Sequence, residues 1–176
     1  MRIHVTIKLA EKLKKAGRLI EDNSVESTSV LDSWHANITT IKRRQCVVFV
    51  HDKTRFAIVL LGVTQKELKQ IDYWFEDMLG NCMLKLGYDP ELIEKACEGI
   101  GELTFDTQCD RSVQGTLKVA IEDLEAHTEG CTNIMDLALY TLSARLCDRP
   151  CRVKGMKEVE CLWPRKEMQA LLEQFS

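Results

Sequence analysis

Hydrophobic and polar positions change period several times along this chain. Ile3, Val5 and Ile7 alternate with Arg2, His4 and Thr6, a period of two that predicts a short opening strand. From about Thr6 the spacing becomes helical. Leu9 and Leu13 lie one turn apart with Lys12, Lys14 and Lys15 outside, and Gly17 ends the element. Residues 18–30, with Glu21, Asp22, Asn23, Ser24, Glu26 and Ser27, are polar enough to predict a mobile loop.

Ser33 to Ile41, Cys46 to Val50 and Phe56 to Leu61 are rich in β-branched and aromatic residues and predict a three-stranded meander. Lys42 to Gln45 is expected to form a four-residue turn, and His51 to Arg55 the next one. The last two strands are apolar at nearly every position, so both of their faces require cover from helices or from another subunit.

Thr64-x-x-Glu67 is a capping box. It opens a long helix whose Leu68, Ile71, Phe75, Met78, Leu79, Cys82 and Leu86 form one stripe, and Gly87 stops it. Asp89-Pro90 starts a short helix, and 102–106 reads as a short strand. Helices follow at about 111–127 and 133–147, and after Pro164 with Met168, Leu171, Leu172 and Phe175. The order β-α-β-β-β-α-α-β-α-α-α predicts an α+β fold over residues 1–176 as a single domain. The expected core is a small, largely antiparallel sheet, made of the N-terminal strand, the meander and one short strand, packed with five to six helices.

Composition changes this picture little. Apolar residues make up 45% and charged residues 29%, ordinary values for a folded domain of 176 residues. No apolar run approaches the roughly 20 residues needed to span a bilayer, and no signal-peptide pattern opens the chain, so a cytoplasmic protein without a membrane segment is expected. Eight cysteines without a C-x-x-C spacing read as free thiols in a reducing compartment. Charge is uneven: residues 1–60 carry +5, residues 61–135 carry −9 and residues 136–176 carry +1. The basic first third keeps nucleic acid open as a partner.

His127, Cys131, Cys147 and Cys151 have zinc-like spacing. A helix over 133–147 would hold Cys131 and Cys147 roughly 20 Å apart, so no metal and no cofactor is expected. Continuing the expected hairpin register sets His35 opposite Asp52. The pair is either a base with its orienter or a hydrogen bond tying the hairpin end. In that register His51 faces the other side of the sheet. Arg43 and Arg44 in one turn, and Lys53 and Arg55 in the other, fall at opposite ends of the meander. Trp34 could offer a stacking surface. Asp110-Arg111-Ser112 could cap a helix or, with Arg111, bind an anion there. No G-x-S-x-G, P-loop or G-x-G-x-x-G is present.

Ser33-Trp34-His35-Ala36-Asn37 with Arg43-Arg44, then Asp52-Lys53-Thr54-Arg55, then Asp110-Arg111-Ser112 resemble an uncharacterised family of bacterial proteins, a domain of unknown function of about this length. The resemblance covers most of residues 1–125 and implies a mobile-element context without an activity to transfer. It has Asn before the Asp where this chain has His51.

These readings converge on a non-enzymatic binding module, self-associating through the apolar meander. A nucleic-acid-binding accessory protein is the second expectation, and a small hydrolase using His35, Asp52 and Asp110 the third. Function is expected near Trp34, His35, Asp52, Lys53 and Arg55.

Overall fold

The computed structural model describes residues 1–21, 29, 31–153, 155–157 and 160–174. Its strands are β1 (Arg2–Val5), β2 (Trp34–Ile41), β3 (Arg44–His51), β4 (Ala57–Leu60) and β5 (Thr104–Asp106). Its helices are α1 (Ile7–Lys15), α2 (Gln65–Lys69), α3 (Ile71–Lys85), α4 (Pro90–Glu98), α5 (Arg111–Thr128), α6 (Leu139–Cys147) and α7 (Pro164–Glu173). No helix among the described residues is long and apolar enough to cross a membrane.

The fold is α+β, but the sheet is mixed. Strand order is β4-β3-β2-β1-β5, and β1 pairs in parallel with both β2 and β5. Only the β2-β3-β4 meander is antiparallel. The expectation of a largely antiparallel sheet therefore fails at β1. The chain leaves β1, runs through α1 and returns to enter β2 in the same direction, which is how parallel neighbours are joined. The expected long helix is two: its axis breaks at Gln70 (φ −103, ψ 28), and the Thr64–Glu67 capping box opens only α2. The predicted helix at 133–147 keeps only its second half, as α6, preceded by a single 3₁₀ turn over Ile134–Asp136.

The turn between β2 and β3 has two residues where four were expected. Lys42 and Arg43 both adopt left-handed backbone, φ 46 and φ 66, and Ile41 pairs with Arg44. This is the twist that suits a two-residue hairpin, here without the usual Asn or Gly. The register moves by two, so Trp34 faces His51 and His35 faces Val50. An even shift leaves every side chain on its expected face.

Alternation sorts the sheet into two faces. Ile3, Val5, Trp34, Ala36, Phe49 and Ile58 pack against α1, α3, α4 and α7 in one core. Cys46, Val48, Val50, Ala57 and Val59 pack against α5 and α6 in another. The helix stripe of Leu68, Ile71, Phe75, Met78, Leu79 and Cys82 is buried in the first core, and Phe75 stands edge-on to Trp34 and Phe49 at 5.0 and 5.1 Å. Phe175 lies outside the described residues.

Both faces of β3 and β4 are thus covered by helices of the same chain. The outer edge of β4 is closed as well. Val59 N–H donates to Ser143 Oγ at 3.1 Å, and Cys147 Sγ donates to the Ala57 carbonyl at 3.0 Å. Edge strands that keep their backbone groups occupied do not recruit a second chain. The apolar strands on which the expected self-association rested, β3 and β4, are covered by helices of the same chain among the described residues.

Arg18 pairs with Asp72, its Nη2 2.9 Å from Oδ1, and stacks over the Phe105 ring at 5.2 Å. Glu21 N–H donates to the Phe105 carbonyl at 2.7 Å. The expected mobile loop is therefore anchored at its start; its residues 22–28 and 30 lie outside the described residues.

Left-handed backbone costs a non-glycine residue about 1 kcal/mol. The double substitution Lys42→Asn, Arg43→Gly should therefore raise unfolding stability by about 1 kcal/mol. Urea unfolding measures this, and a loss of stability would mean that the two cations hold contacts worth more than the strain.

Candidate functional site

One transverse row of the sheet carries most of the chemistry. Asp106, His4, His35, Val50 and Ala57 are neighbours across β5, β1, β2, β3 and β4, and all face the side on which α5 lies. The row is apolar where α5 and α6 cover it and polar beyond.

His35 sits at the middle, 1% exposed. Its Nδ1 lies 2.7 Å from Asp52 Oδ1, and its Nε2 accepts the backbone N–H of Asp110 at 2.6 Å. An amide can only donate, so Nε2 carries no proton, and Nδ1–H must donate to Asp52. Ser33 Oγ–H donates to the second Asp52 oxygen at 2.6 Å. His35 and Asp52 are joined as the sequence suggested, although they are not cross-strand partners. The lone pair that a base would use is already engaged. His35 ties β2, the β3–β4 turn and the start of α5 together.

Asp110 is the N-cap of α5. Its Oδ1 accepts from Ser112 N–H at 2.8 Å and Val113 N–H at 3.1 Å. These bonds, led by the one from Val113, lower its carboxyl pKa. The three residues of the hydrolase reading converge, each held in a structural bond. His4 lies beside His35 with ring centroids 4.8 Å apart and planes tilted by 50°, and its Nδ1 lies 2.6 Å from Asp106 Oδ1. Arg2 Nε stands 3.9 Å from the other Asp106 oxygen.

The other face of the hairpin end belongs to the core. Trp34 is fully buried, and its Nε1–H donates to the Leu31 carbonyl at 2.9 Å, so it offers no stacking surface. His51 is also fully buried, 5.1 Å from the Trp34 ring. Its Nδ1 lies 2.8 Å from Thr54 Oγ1 and accepts Thr54 N–H at 3.2 Å. Burial pushes its pKa down to about 3.

Lys53 is exposed, whereas Arg55 is only 6% exposed, with left-handed backbone at φ 60. Arg55 Nη2 donates to Ser112 Oγ at 3.2 Å, while its Nε and Nη1 are buried without a hydrogen-bond partner among the described residues. Burial lowers its pKa, against the attraction of Asp52 and Asp110. Arg43 and Arg44 are exposed at the far end of β2, about 25 Å away for eight extended residues. They do not join the site.

Beside α5, a pocket of about 400 Å³ is lined by Arg111, Ser112 and Thr116 from the helix and by Arg149, Cys151 and Arg152 from the segment after α6. Paired backbone hydrogen bonds between Cys151 and Leu162, 2.8 and 2.9 Å, hold that segment. Arg149 Nε is 2.8 Å from Asp123 Oδ2. Arg111 and Arg152 are exposed and form no ion pair among the described residues. Cys147 is buried against Ala57 and His127 is exposed on α5. No three of His, Cys, Asp and Glu stand together as a metal-holding set among the described residues.

Sequence reasoning missed His4 and Asp106, Ser33, and the arginines Arg149 and Arg152. His4 and Asp106 are polar positions on very short strands whose pairing no pattern announces. Arg149-Pro150-Cys151-Arg152 is a visible basic run, but nothing in it points to α5.

A family model described as a domain of unknown function (DUF6933) matches residues 2–167. No curated protein and no solved structure matches the chain.

His35→Phe keeps a flat aromatic ring but removes both bonds of the bridge, leaving Asp52 Oδ1 and the Asp110 amide unpaired. Chemical denaturation should show a loss of about 3 kcal/mol, with faster amide exchange in the first turn of α5. An unchanged melting curve would contradict the bridge.

His51 supplies a pH prediction. Its pKa is depressed from 6.5 to about 3 on folding, so the unfolded chain takes up its proton first. Its contribution to stability is complete above about 6.5 and is lost as pH falls toward 3, at about 1.4 kcal/mol per pH unit. Denaturation curves of a His51→Asn variant, whose amide oxygen can still accept from Thr54, should show a correspondingly shallower acid slope over that window.

Proposed function

We propose, for a chain that belongs to the DUF6933 family, that the protein is a non-enzymatic binding module whose ligand carries a phosphate group held in the cationic pocket beside α5. One observation carries the reading: the buried Arg55 guanidinium, with one hydrogen bond to Ser112 and two nitrogens without partners among the described residues. Burying a guanidinium is unfavourable unless an anion or a full set of acceptors repays the lost hydration. Asp52 and Asp110 attract it, yet neither hydrogen-bonds to it.

Ser112 transmits this charge to the pocket. Its oxygen accepts from Arg55, since an arginine can only donate, so its own hydroxyl proton is free to point at a ligand. Arg111 and Arg152 flank the opening with planar forks that suit phosphate oxygens. The Ser112 and Val113 amides take no part, because Asp110 already accepts from them. The pocket volume is that of a small-ligand site. A continuous nucleic-acid track has less support, since Arg43 and Arg44 stand at the far end of the sheet.

Calorimetric titration with pyrophosphate and with a single-stranded oligonucleotide tests the proposal. Saturable pyrophosphate binding is expected, and Arg111→Gln and Arg152→Gln should each weaken it about tenfold while melting stays unchanged. Absence of binding, or binding indifferent to both substitutions, would overturn it. Oligonucleotide binding far tighter than pyrophosphate binding, with a steep salt slope, would favour the nucleic-acid reading.

A further inference from the structure

We propose a second binding surface on the other side of the sheet: the groove between α3 and α4 receives the apolar face of a basic amphipathic helix from another protein. Helix α3 is apolar on two sides. Phe75, Met78, Leu79 and Cys82 enter the core. Tyr73 and Leu84 point the other way, 61% and 63% exposed. With Gly80 between them, and Pro90, Ile93 and Cys97 from α4, they line a groove of about 660 Å³. Gly80 forms its floor; a Cβ there would already stand 3.4 Å from Cys97 Sγ. Tyr73 to Leu84 spans eleven steps of helix, about 16 Å, the length of three helical turns. A helix laid into such a groove uses anchors at i, i+3 or i+4, and i+7.

Charge selects the occupant. The other lining residues with charged side chains are Glu76, Asp77 and Glu94, and no cation lines the groove among the described residues. Asp77 accepts the Tyr140 hydroxyl at 2.8 Å, while Glu76 and Glu94 are exposed and form no ion pair among the described residues. An apolar floor inside a carboxylate rim complements a leucine-type stripe flanked by lysine or arginine. A second copy of this chain fits less well. Its basic helix α1 carries Lys8, Lys12, Lys14 and Lys15, but Leu9 and Leu13 are buried in its own core and only Ile7 is largely exposed. An anionic membrane surface would be repelled by the same rim.

The test uses fluorescence anisotropy with a labelled peptide of about 14 residues, Leu and Lys at helical spacing, and its counterpart with Glu in place of Lys. The Lys peptide should saturate the protein with Kd of about the micromolar order, and the Glu peptide should bind at least about tenfold more weakly. Leu84→Glu should weaken the Lys peptide by at least about tenfold. The double variant Glu76→Lys, Glu94→Lys should reverse the preference between peptides. All three positions are exposed, so unchanged melting confirms folded variants. Arg111→Gln should leave peptide binding intact, which separates this surface from the pocket beside α5. No saturation, equal binding of both peptides, or a dimer in sedimentation that Leu84→Glu dissolves would each overturn the proposal.

Discussion

A single neutral imidazole holds the start of α5 to the sheet. His35 gives a proton to Asp52 and takes one from the Asp110 amide. Both ring nitrogens are committed, and each bond spans a long stretch of sequence. Asp52 also gathers Ser33, while Asp110 caps the helix whose amide His35 receives. The bridge works in one protonation state only. A proton on Nε2 would set donor against donor at the Asp110 amide, so the arrangement needs the neutral ring. Downstream of this point, Val113, Leu117, Ala120 and Leu124 pack α5 onto β2 and β3. The imidazole sets where that helix begins, and the apolar stripe sets how it lies.

The same row of the sheet shows why the polar cluster occurs here. At Val50 and Ala57 the face is sealed by apolar side chains of α5 and α6. Toward β1 and β5 the same face bears His4, Arg2 and Asp106, and a polar face needs internal partners where water is partly excluded. His4 finds Asp106, His35 finds Asp52, and the two rings meet at a tilt. At the opposite edge, α6 uses Ser143 and Cys147 to occupy the outward backbone of β4. Both solutions close open hydrogen-bonding groups within the chain, leaving the solvent-facing chemistry to the helices.

Element order was legible because it rests on local signals: a change from period two to period 3.6 at β1 and α1, continuous apolar runs at β3 and β4, and helical stripes at α3 and α5. Parallel pairing of β1 was not legible, since a four-residue strand carries no record of its neighbours. The hairpin turn was misjudged because Lys42-Arg43 lacks the Asn or Gly that normally announces left-handed backbone. The meeting of His35 with Asp52 survived that error, because an even register shift preserves faces. Trp34 was legible as a strand residue, but its exposure depended on α3, whose Phe75 covers it. The pocket was half legible. Arg55 and Arg111 stood out beside turn and cap signals, whereas Arg149 and Arg152 reach α5 only through the return of the chain after α6.

Local charge balance explains why a pocket ringed by arginines leaves only some of them available. Arg149 is paired with Asp123. Arg55 is drawn by Asp52 and Asp110, but these carboxylates hydrogen-bond elsewhere, to His35, Ser33 and the Ser112 and Val113 amides. They therefore temper the charge of Arg55 without supplying its missing hydrogen bonds. Asp110 also blocks the helix amides, so an incoming anion meets side chains, not the end of the helix dipole. What remains unanswered at the surface is the Ser112 hydroxyl, polarised from behind by Arg55, and the exposed guanidinia of Arg111 and Arg152. The residues that fix α5 are thus the ones that set the charge behind the pocket: held in the bridge and the cap, Asp52 and Asp110 draw on Arg55 without hydrogen-bonding to it.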